Sequence, residues 1–306
     1  MYVLTAPRDG AKWLAAVVID TPPIRTTVII PAYRAWSTLA VVLDALAPQL
    51  GPSREAVLVD STADDSSSDV EARWPWLRVI TTPQRLFPGQ ARNLGATHAR
   101  GQLLAFLDAD AVPSANWLDR LEEALTNELD AVAGGILNGT PDSRIGTAQY
   151  LLEFSEAFPR RPRPLRHAAS ANLLVRRDRF EALGGFPDEL RAGEDTVMTF
   201  SLAGRRRLAF APTATVQHLN RTELGPFLAN QRRQGAALVA ICSMVPYPNR
   251  WVCRGPALLL AGPLRLLALA RVLLYNPAQA KQALRALPQL LLGTAAWVLG
   301  AYEARR

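Results

Sequence analysis

The residues with the clearest chemical potential are two aspartates one residue apart, Asp108 and Asp110, which directly follow the apolar run 103–107. The run predicts a short buried strand of a parallel sheet, because it is aliphatic and aromatic without polar alternation. Open sheets bind their ligands at the carboxyl ends of such strands. A carboxylate pair there can hold a hard divalent cation and leave coordination positions for substrate phosphates. The alternative is a solvated turn with a helix cap, since Asp110 precedes Pro113 and a helical pattern.

The elements that must position this pair alternate along the chain between short apolar strands and amphipathic helices. The alternation predicts a Rossmann-like α/β fold, with a mixed, mostly parallel sheet flanked by helices. Strands are predicted at 26–30, 56–59, 77–81, 103–107, 131–137, 173–175, 208–211 and 215–218. Helices are predicted at 36–50, 89–99, 116–128, 177–183 and 194–202. The segment 138–170 reads as an irregular loop with four arginines among prolines, Arg160, Arg161, Arg163 and Arg166.

Composition argues against several classes of protein. The 306 residues carry a formal net charge of +7, and Lys12 and Lys281 are the only lysines. An excess of arginine suits phosphate groups or an anionic lipid surface. The sequence has no basic groove with interleaved aromatics, so we expect no nucleic-acid partner. Cys242 and Cys253 lie outside any CxxC pattern, which disfavours a zinc site and predicts free thiols in a reducing compartment.

The C-terminal fifth of the chain is markedly more apolar than the rest. Two apolar runs, 256–274 and 286–302, are joined by a short polar hinge. Arg265 and Arg271 interrupt the first run, and each costs roughly 2.5–3.5 kcal/mol at the centre of a membrane span. The second run, about 17 residues long, is at the lower limit for a span. We expect a pair of helices at the membrane interface, with a transmembrane hairpin or a pair packed on the α/β domain as alternatives.

These changes in composition divide the chain into three parts, a leader over 1–24, an α/β domain over 25–240 and an apolar helical segment over 241–306. The apolar run 13–19 in the leader is short and broken by Asp20, so we expect no signal peptide. We therefore expect the protein at the cytoplasmic face of the cell membrane, as a peripheral or monotopic protein.

Seven short motifs follow one another in a fixed order. They are VIIPAY from Val28, VLVDS from Val57, GQARNLG from Gly89, FLDAD from Phe106, GGF from Gly184, GED from Gly193 and QRRQG from Gln231. In order and spacing they resemble the family 2 glycosyltransferases with the GT-A fold, from residue 26 to about residue 235. The chain departs from that family after Asp60, where Ser-Thr-Ala-Asp-Asp replaces the usual Asp-Gly-Ser-Thr-Asp. That departure leaves the nucleotide base open.

The resemblance implies that Asp108 and Asp110 bind Mn²⁺ or Mg²⁺ at the diphosphate of a nucleotide-sugar, where the ion neutralises charge on the departing nucleoside diphosphate. Asp110 is the stronger candidate for direct ligation, and Asp108 has the ribose or a metal-bound water as alternative partners. His218 ends a predicted strand and resembles the histidine that some relatives supply as a further ligand. A histidine in that place can equally be structural.

The resemblance places the nucleoside base beside the residues that follow the first strand, Pro31, Ala32 and Tyr33. Asp60 ends the second strand, where it would hydrogen-bond the base or ribose, or else cap the following turn. Arg92 lies near a helix N-terminus and would hold a phosphate of the donor. Its alternative is a solvated helix face.

The QRRQG segment resembles the basic motif near the donor diphosphate, over which Arg232 and Arg233 would close. Two arginines on a solvated helix face are the alternative. The segment lacks the Arg-Trp ending of processive polymerases, which predicts transfer of a single sugar. The arginine loop at 160–166 would be an acceptor lid, a lipid-headgroup contact or a plain surface loop.

The resemblance makes Asp195 the general base that takes the proton of an acceptor hydroxyl. Glu194 would orient Asp195 or the acceptor. Both acids also suit a helix N-terminus for electrostatic reasons alone. A single direct displacement at the anomeric carbon inverts its configuration, so no covalent glycosyl-enzyme is needed.

The sequence thus predicts an inverting, metal-dependent transferase that uses a UDP- or GDP-sugar and a lipid-linked or small-molecule acceptor at a membrane surface. A nucleotidyltransferase is disfavoured, because the first strand leads into PAYRAW without a glycine-rich phosphate loop. A dinucleotide-dependent oxidoreductase is disfavoured by the absence of GxGxxG in the same place. A catalytically inactive, glycosyltransferase-like membrane scaffold remains the non-enzymatic alternative.

Overall fold

The computed structural model describes residues 23–62, 67–159, 162–204 and 206–305. Within those ranges nine strands form one sheet, β1 (Thr26–Ala32), β2 (Arg54–Asp60), β3 (Leu77–Thr81), β4 (Leu103–Leu107), β5 (Ala111–Pro113), β6 (Ala131–Asn138), β7 (Arg163–Pro164), β8 (Asn172–Arg176) and β9 (Leu208–His218). Their order is β3-β2-β1-β4-β8-β6-β9-β5, and β7 pairs with β9. The first four strands in this order are parallel, β8 is antiparallel to both neighbours, and β6 and β9 are parallel. The predicted mixed, mostly parallel sheet is confirmed.

The described helices cover the sheet and build the C-terminal region. They are α1 (Trp36–Leu46), α2 (Ser67–Arg73), α3 (Pro88–His98), α4 (Trp117–Ala124), α5 (Arg144–Phe154), α6 (Arg177–Ala182), α7 (Glu194–Ala203), α8 (Leu224–Met244), α9 (Ala261–Leu273), α10 (Pro277–Arg285) and α11 (Leu287–Glu303). Short 3₁₀ turns extend several of them, among them Ala47–Gln49 after α1 and Gly255–Leu260 before α9.

Strand β4 is buried on both faces, as its unbroken apolar sequence predicts. Successive side chains of a strand point to opposite faces. Leu104 and Phe106 join the core on one face, while Leu103, Ala105 and Leu107 join the core on the other. The ring of Phe106 packs edge-on against that of Phe186, with 5.0 Å between the centroids. The two polar residues that follow β4 are therefore fixed at the end of a rigid strand.

The region 138–170 is not an irregular loop, because it contains the helix α5. Eight of its eleven residues are buried, from Gly146 to Phe154, so no side of the helix is exposed to solvent along its length. A helix buried all round lacks the apolar periodicity by which sequence patterns identify helices. The predicted strands at 208–211 and 215–218 form the single strand β9, with a register shift opposite Gly134 and Gly135. The predicted leader lies outside the described residues except at its last two positions, and Arg160 and Arg161 also lie outside them.

The C-terminal region contains three helices instead of the predicted pair, because α10 occupies the expected polar hinge. Within the described residues, Gly255–Leu273 forms one helical stretch long and apolar enough to cross a membrane, with a mean hydropathy of 1.6 and 22% of it buried. Helices α10 and α11 pass the same test together, but they are bent by 81° at the break between them.

Helix α11 packs directly on α8, and two glycines make the close approach of the backbones possible. A methyl group added at Gly235 of α8 would overlap the backbone of Trp297 on α11. A methyl group added at Gly300 of α11 would overlap the backbone of Arg232 on α8. The apolar helices are thereby attached to the helix that borders the functional cleft.

Cys242 and Cys253 are joined in a disulfide, with their Cα atoms 6.8 Å apart. The prediction of free thiols is therefore wrong. The 3₁₀ turn Arg250–Cys253 returns the chain to the C-terminal part of α8, and a spacing of eleven residues carries no sequence signal for that contact.

We predict that Gly235→Ala destabilises the fold, because the new methyl group meets backbone that has no rotamer by which to yield. Overpacking of this kind costs about 1–3 kcal/mol. Gly225→Ala on the same helix is the matched control, since nothing lies within 4 Å of the added methyl group. At that position alanine should leave the free energy of unfolding unchanged or raise it by up to about 1 kcal/mol, because its helix propensity is higher than that of glycine. Chemical denaturation of both variants measures the difference, and equal stability would contradict the close backbone contact.

Candidate active site

Two acids and a histidine meet at the carboxyl edge of the sheet. Asp108 and Asp110 follow β4, and His218 ends β9. The antiparallel pairing of β5 with β9 places Ala111 opposite His218, so the histidine reaches the second aspartate. His218 Nε2 lies 3.3 Å from Asp110 Oδ1, and one ligand atom from each of the three residues falls within 4.8 Å of the others. This predicted set of metal ligands is therefore brought together in space.

The tautomer of His218 follows from its neighbour Asn220. The amide nitrogen of Asn220 donates to Asn138 Oδ1, Thr140 Oγ1 and the His218 carbonyl. Its Oδ1 is thereby left to accept a hydrogen bond from His218 Nδ1 at 3.1 Å. A proton on Nδ1 leaves the Nε2 lone pair free towards the aspartates, which is the usual arrangement around a metal-bound histidine. The cluster thus fits a divalent cation in donor type and in orientation.

Burial raises the pKa of Asp110, and the nearby Asp108 carboxylate adds to the shift, although His218 and Arg221 oppose it. Two carboxylates that share one site repel each other when both are ionised. A bound cation would remove that repulsion, so the cluster has an electrostatic reason to accept one.

Arg92 connects the aspartate pair to a second acid. Its guanidinium donates to Asp108 Oδ1 at 2.5 Å and to Glu194 Oε1 at 2.7 Å, and the residue is only 3% exposed. The predicted phosphate contact of Arg92 stays a prediction. In the structure this side chain links the end of β4 to the start of α7, so it is not on a solvated helix face.

The acidic start of α7 holds the predicted base. Gly193 precedes the helix with φ of 78°, a left-handed conformation that favours glycine. Burial and the charge of Asp195 raise the pKa of Glu194 to about 7, although the bond to Arg92 acts in the opposite direction. Asp195 accepts hydrogen bonds from the backbone N–H groups of Ser170 at 3.1 Å and Thr196 at 2.7 Å. Both of its carboxylate oxygens are thus oriented, while Glu194 is held by Arg92.

One cavity of about 1120 Å³ joins these groups. It is lined by residues at the end of β1, namely Pro31, Ala32 and the following Tyr33, and by Asp108, Asp110, His218, Glu194 and Asp195. Arg85 stacks over the ring of Tyr33, with 4.1 Å from its guanidinium carbon to the ring centroid. The predicted base-binding residues, metal ligands and general base therefore face the same space.

The remaining predicted donor contacts differ in whether they line this cavity. They are Asp60, Arg232 and Arg233. Asp60 is 1% exposed and its Oδ1 accepts hydrogen bonds from the backbone and hydroxyl of Thr62, so it caps the turn after β2. Its predicted contact with the donor stays a prediction. Arg233 lines the cavity. Arg232 does not line it, because successive helical residues point about 100° apart, and it pairs instead with Glu303 of α11 at 2.6 Å.

Sequence patterns missed several residues of the cavity wall, among them Arg85, Glu153, Arg221, Tyr247 and Arg265. Glu153 accepts hydrogen bonds from Asn230 Nδ2 at 2.7 Å and Gln231 Nε2 at 2.6 Å. Burial raises its pKa. It belongs to α5, which sequence periodicity did not reveal. Arg85 follows β3 and Arg221 follows β9 at the functional edge of the sheet, and those positions were the available signals among the five.

Known proteins place this site in a family. The model of glycosyl transferase family 2 matches residues 27–184, which is more than half of the chain. The chain belongs to glycosyl transferase family 2. The predicted resemblance is confirmed, and the matched range contains Arg92 and both aspartates of this family 2 site.

Two curated relatives of this family 2 glycosyltransferase are each 27% identical to it. Glycosyltransferase AglE of Haloferax volcanii aligns over 56% of this chain and 59% of its own length. Pre-mycofactocin glycosyltransferase of Mycobacterium tuberculosis aligns over 73% of this chain and 48% of its own length. The chain thus covers less than two thirds of either relative.

A solved structure shares the fold of this glycosyltransferase over nearly its whole length. It is the mannosyltransferase PcManGT from Pyrobaculum calidifontis in complex with GDP-Man and Mn²⁺. The match covers 93% of this chain and 89% of that chain, with a TM-score of 0.62 and 19% sequence identity. The likeness confirms the predicted GT-A fold.

We predict that Asp110→Asn weakens Mn²⁺ binding by more than about 100-fold, since even outer-shell partners of a metal account for roughly 10–100-fold. Asp178→Asn is the matched control, because Asp178 is exposed and follows β8, which is antiparallel to β4 and ends at the opposite edge of the sheet. Isothermal titration of the full chain with Mn²⁺ measures both variants. Equal affinities would show that the cluster is not the metal site.

Mn²⁺ affinity should also fall as the pH is lowered, and the fall should begin well above about pH 4. The raised pKa of Asp110 means that protons compete for this carboxylate at a higher pH than for an ordinary aspartate, whose pKa is about 4. Titration of wild type and of His218→Gln with Mn²⁺ at several pH values measures the fall, and the part that persists in the variant comes from the carboxylates of the site. A fall that begins only near about pH 4 would contradict the shift.

Proposed function

We propose that this family 2 chain is an inverting, metal-dependent transferase that moves one sugar from a nucleotide-diphospho-sugar to an acceptor hydroxyl. The observation that carries the proposal is that the Asp108, Asp110 and His218 cluster and the carboxylate of Asp195 line one cavity. The solved relative with GDP-Man and Mn²⁺ supports a nucleotide-sugar and a cation for this fold.

The donor is proposed to lie along the carboxyl edge of the sheet. Its base would contact the residues at the end of β1, where Arg85 stacks over the ring of Tyr33. Its diphosphate would lie near the cluster, where Arg85, Arg221 and Arg233 supply positive charge along the cavity wall. Mn²⁺ or Mg²⁺ would be held by Asp108, Asp110 and His218, and the bound ion supplies Lewis acidity towards the departing diphosphate.

Asp195 is proposed to act as the general base. The acceptor oxygen attacks the anomeric carbon while the bond from that carbon to the diphosphate breaks. The hydroxyl proton passes to Asp195, and the nucleoside diphosphate leaves. Two backbone N–H groups orient the Asp195 carboxylate, so its free lone pairs keep a fixed direction. A single displacement inverts the anomeric configuration.

Arg92 and Glu194 are proposed to position this machinery. Because Arg92 binds Asp108 and Glu194 at once, it sets the distance between the metal site and the start of the helix that carries Asp195. Glu194 would therefore orient Asp195 through the helix start, as one of its two predicted roles requires, and not through contact with the acceptor.

The acceptor is proposed to be lipid-linked and the protein to act at the cytoplasmic face of a membrane. Thirteen of the fifteen strongly exposed large apolar side chains in the described residues lie between Met244 and Tyr302. Single exposed apolar residues are ordinary, whereas a contiguous concentration marks an interaction surface. Arg271, Lys281 and Arg285 lie in the same region and suit anionic headgroups.

We predict that Asp195→Asn lowers kcat for transfer by about 10²–10⁴-fold, the usual contribution of a general base. Donor affinity should change little, because the amide preserves the shape of the side chain. Glu189→Gln, an exposed residue shortly before α7, is the matched control. Transfer assays across UDP- and GDP-sugars with Mn²⁺ and with EDTA measure both variants, and NMR of the product shows whether the anomeric configuration inverts. Retention of configuration would contradict the mechanism.

We predict that the double variant Leu284→Glu, Leu287→Glu binds anionic vesicles at least about tenfold more weakly, because burying one leucine contributes roughly 1.5–3 kcal/mol. These side chains are 75% and 46% exposed. Val41→Glu, Leu224→Glu adds the same charge at residues that are 52% and 43% exposed on the α/β domain. Vesicle co-sedimentation measures both. Equal binding by the two double variants would place the lipid contact elsewhere.

A further inference from the structure

The cavity continues beyond Asp195 into a region that the donor and the metal do not explain. Six residues border this region, which we call the acceptor chamber: Tyr247, Val252, Leu264, Arg265, Ala268 and Trp297. Four of them are apolar and come from α9, α11 and the 3₁₀ turn after α8. The chamber is therefore built by the C-terminal region.

Arg265 gives this otherwise apolar chamber a positive charge. Its guanidinium donates to Gln231 Oε1 at 3.1 Å and to the Leu152 carbonyl at 3.0 Å, and it lies over the ring of Trp297 at 4.7 Å. Both hydrogen-bond acceptors are neutral. Guanidinium has five N–H donors, of which these bonds use two. Among the described residues Arg265 forms no ion pair with a carboxylate within 4.0 Å.

The nearest acid does not neutralise Arg265 directly. Glu153 lies in the electrostatic field of Arg265, but its carboxylate is already bonded to Asn230 and Gln231. Arg221 and His218 also act on the same acid. A cation lined by apolar side chains costs free energy unless a counter-charge accompanies it. The chamber therefore favours an anion from outside the chain.

The chamber is continuous with the predicted base. Tyr247 lines the same cavity as Asp195 and Arg265. Its ring is 5.9 Å from that of His167, which in turn lies in the field of Asp195. A molecule that places a hydroxyl at Asp195 can therefore extend past Tyr247 to Arg265.

Helix α9 connects the chamber to an apolar surface. The helical stretch that carries Arg265 into the cavity also presents Leu259, Leu260 and Leu267 to solvent, which are 67%, 51% and 48% exposed. An anion at Arg265 and an apolar chain beside it would thus be held by one helix. A free sugar or a free phosphate would leave the apolar walls of the chamber in contact with water.

We propose that the acceptor chamber binds an anionic amphiphile, with a phosphate headgroup at Arg265 and its apolar chain along α9 and α11. The proposal rests on the proposed function, because it assigns the molecule whose hydroxyl reaches Asp195. Arg265 recognises the headgroup, Trp297 and Tyr247 border it, and Leu264 and Ala268 contact the start of the chain. Arg265 is thus a determinant of acceptor specificity.

The test uses decyl phosphate as a probe, at concentrations at which it is monomeric, with decanol and inorganic phosphate as comparisons. Isothermal titration of the full chain should show that wild type binds decyl phosphate at least about tenfold more tightly than either comparison, which corresponds to about 1.4 kcal/mol. Arg265→Gln should lose that preference, and Arg265→Lys should retain part of it. Arg120→Gln, an exposed arginine on α4 of the α/β domain, is the matched control and should bind as wild type does.

A second variant keeps the test informative if Arg265→Gln does not fold. Ala268→Phe leaves the charge in place and fills the space for the chain, so it should weaken binding of decyl phosphate but not of inorganic phosphate. Equal binding of decyl phosphate by wild type and by a folded Arg265→Gln variant would overturn the proposal in favour of adsorption to the apolar surface. Equal binding of inorganic phosphate and decyl phosphate by wild type would overturn the role of the chain.

Donor binding distinguishes failure of this proposal from failure of the proposed function. Titration of wild type with UDP- and GDP-sugars in the presence of Mn²⁺ reports on the donor site alone. Donor binding without a preference for decyl phosphate overturns the acceptor chamber and leaves the transferase intact. A preference for decyl phosphate that depends on Arg265, without any donor binding, supports the chamber and overturns the proposed function.

Discussion

The burial of one positive charge, that of Arg92, holds the active site together. Its guanidinium is almost inaccessible and bonds to carboxylates from two different elements, Asp108 after β4 and Glu194 at the start of α7. Removal of one partner from a buried ion pair typically costs roughly 3–5 kcal/mol, because the other charge is left without compensation. The proposed metal site and the proposed base are therefore coupled through Arg92, and loss of either ion pair would cost the fold stability.

The second constraint is the close packing of α8 and α11. Gly235 and Gly300 allow the two backbones to touch, which fixes the apolar C-terminal helices against the helix that carries Arg233. The same packing places Arg265 and Trp297 on the wall of the cavity. The part of the chain proposed to meet the membrane thus also shapes the proposed acceptor site, so lipid contact and acceptor choice depend on one set of contacts.

Local sequence patterns were sufficient to predict that the strands β1 to β4 exist and which polar residues lie near their ends. An apolar run that stops at an acid marks both a buried strand and its functional edge, as for Leu107 before Asp108. The predicted end of the first strand at Pro31 was wrong, because β1 continues through Pro31 to Ala32. The same reasoning failed for α5, whose burial on all sides removes the helical periodicity. It also failed for Cys242 and Cys253, since the contact between them depends on how the turn after α8 folds back.

The sequence by itself determined the family and the fold class, and it singled out Asp108, Asp110 and Asp195 as candidates, because short motifs at strand ends keep chemistry and position together in the chain. Only the tertiary structure decided which partners these residues have. His218 reaches Asp110 through the pairing of β5 with β9, and Arg92 reaches Asp108 and Glu194 across 16 and 102 residues of sequence. The tertiary structure also showed that Arg233 lines the cavity while its neighbour Arg232 does not. Adjacent residues of a helix point about 100° apart and therefore have different surroundings. Contacts between distant segments follow from packing and register, and neither is written in a local pattern of residue types.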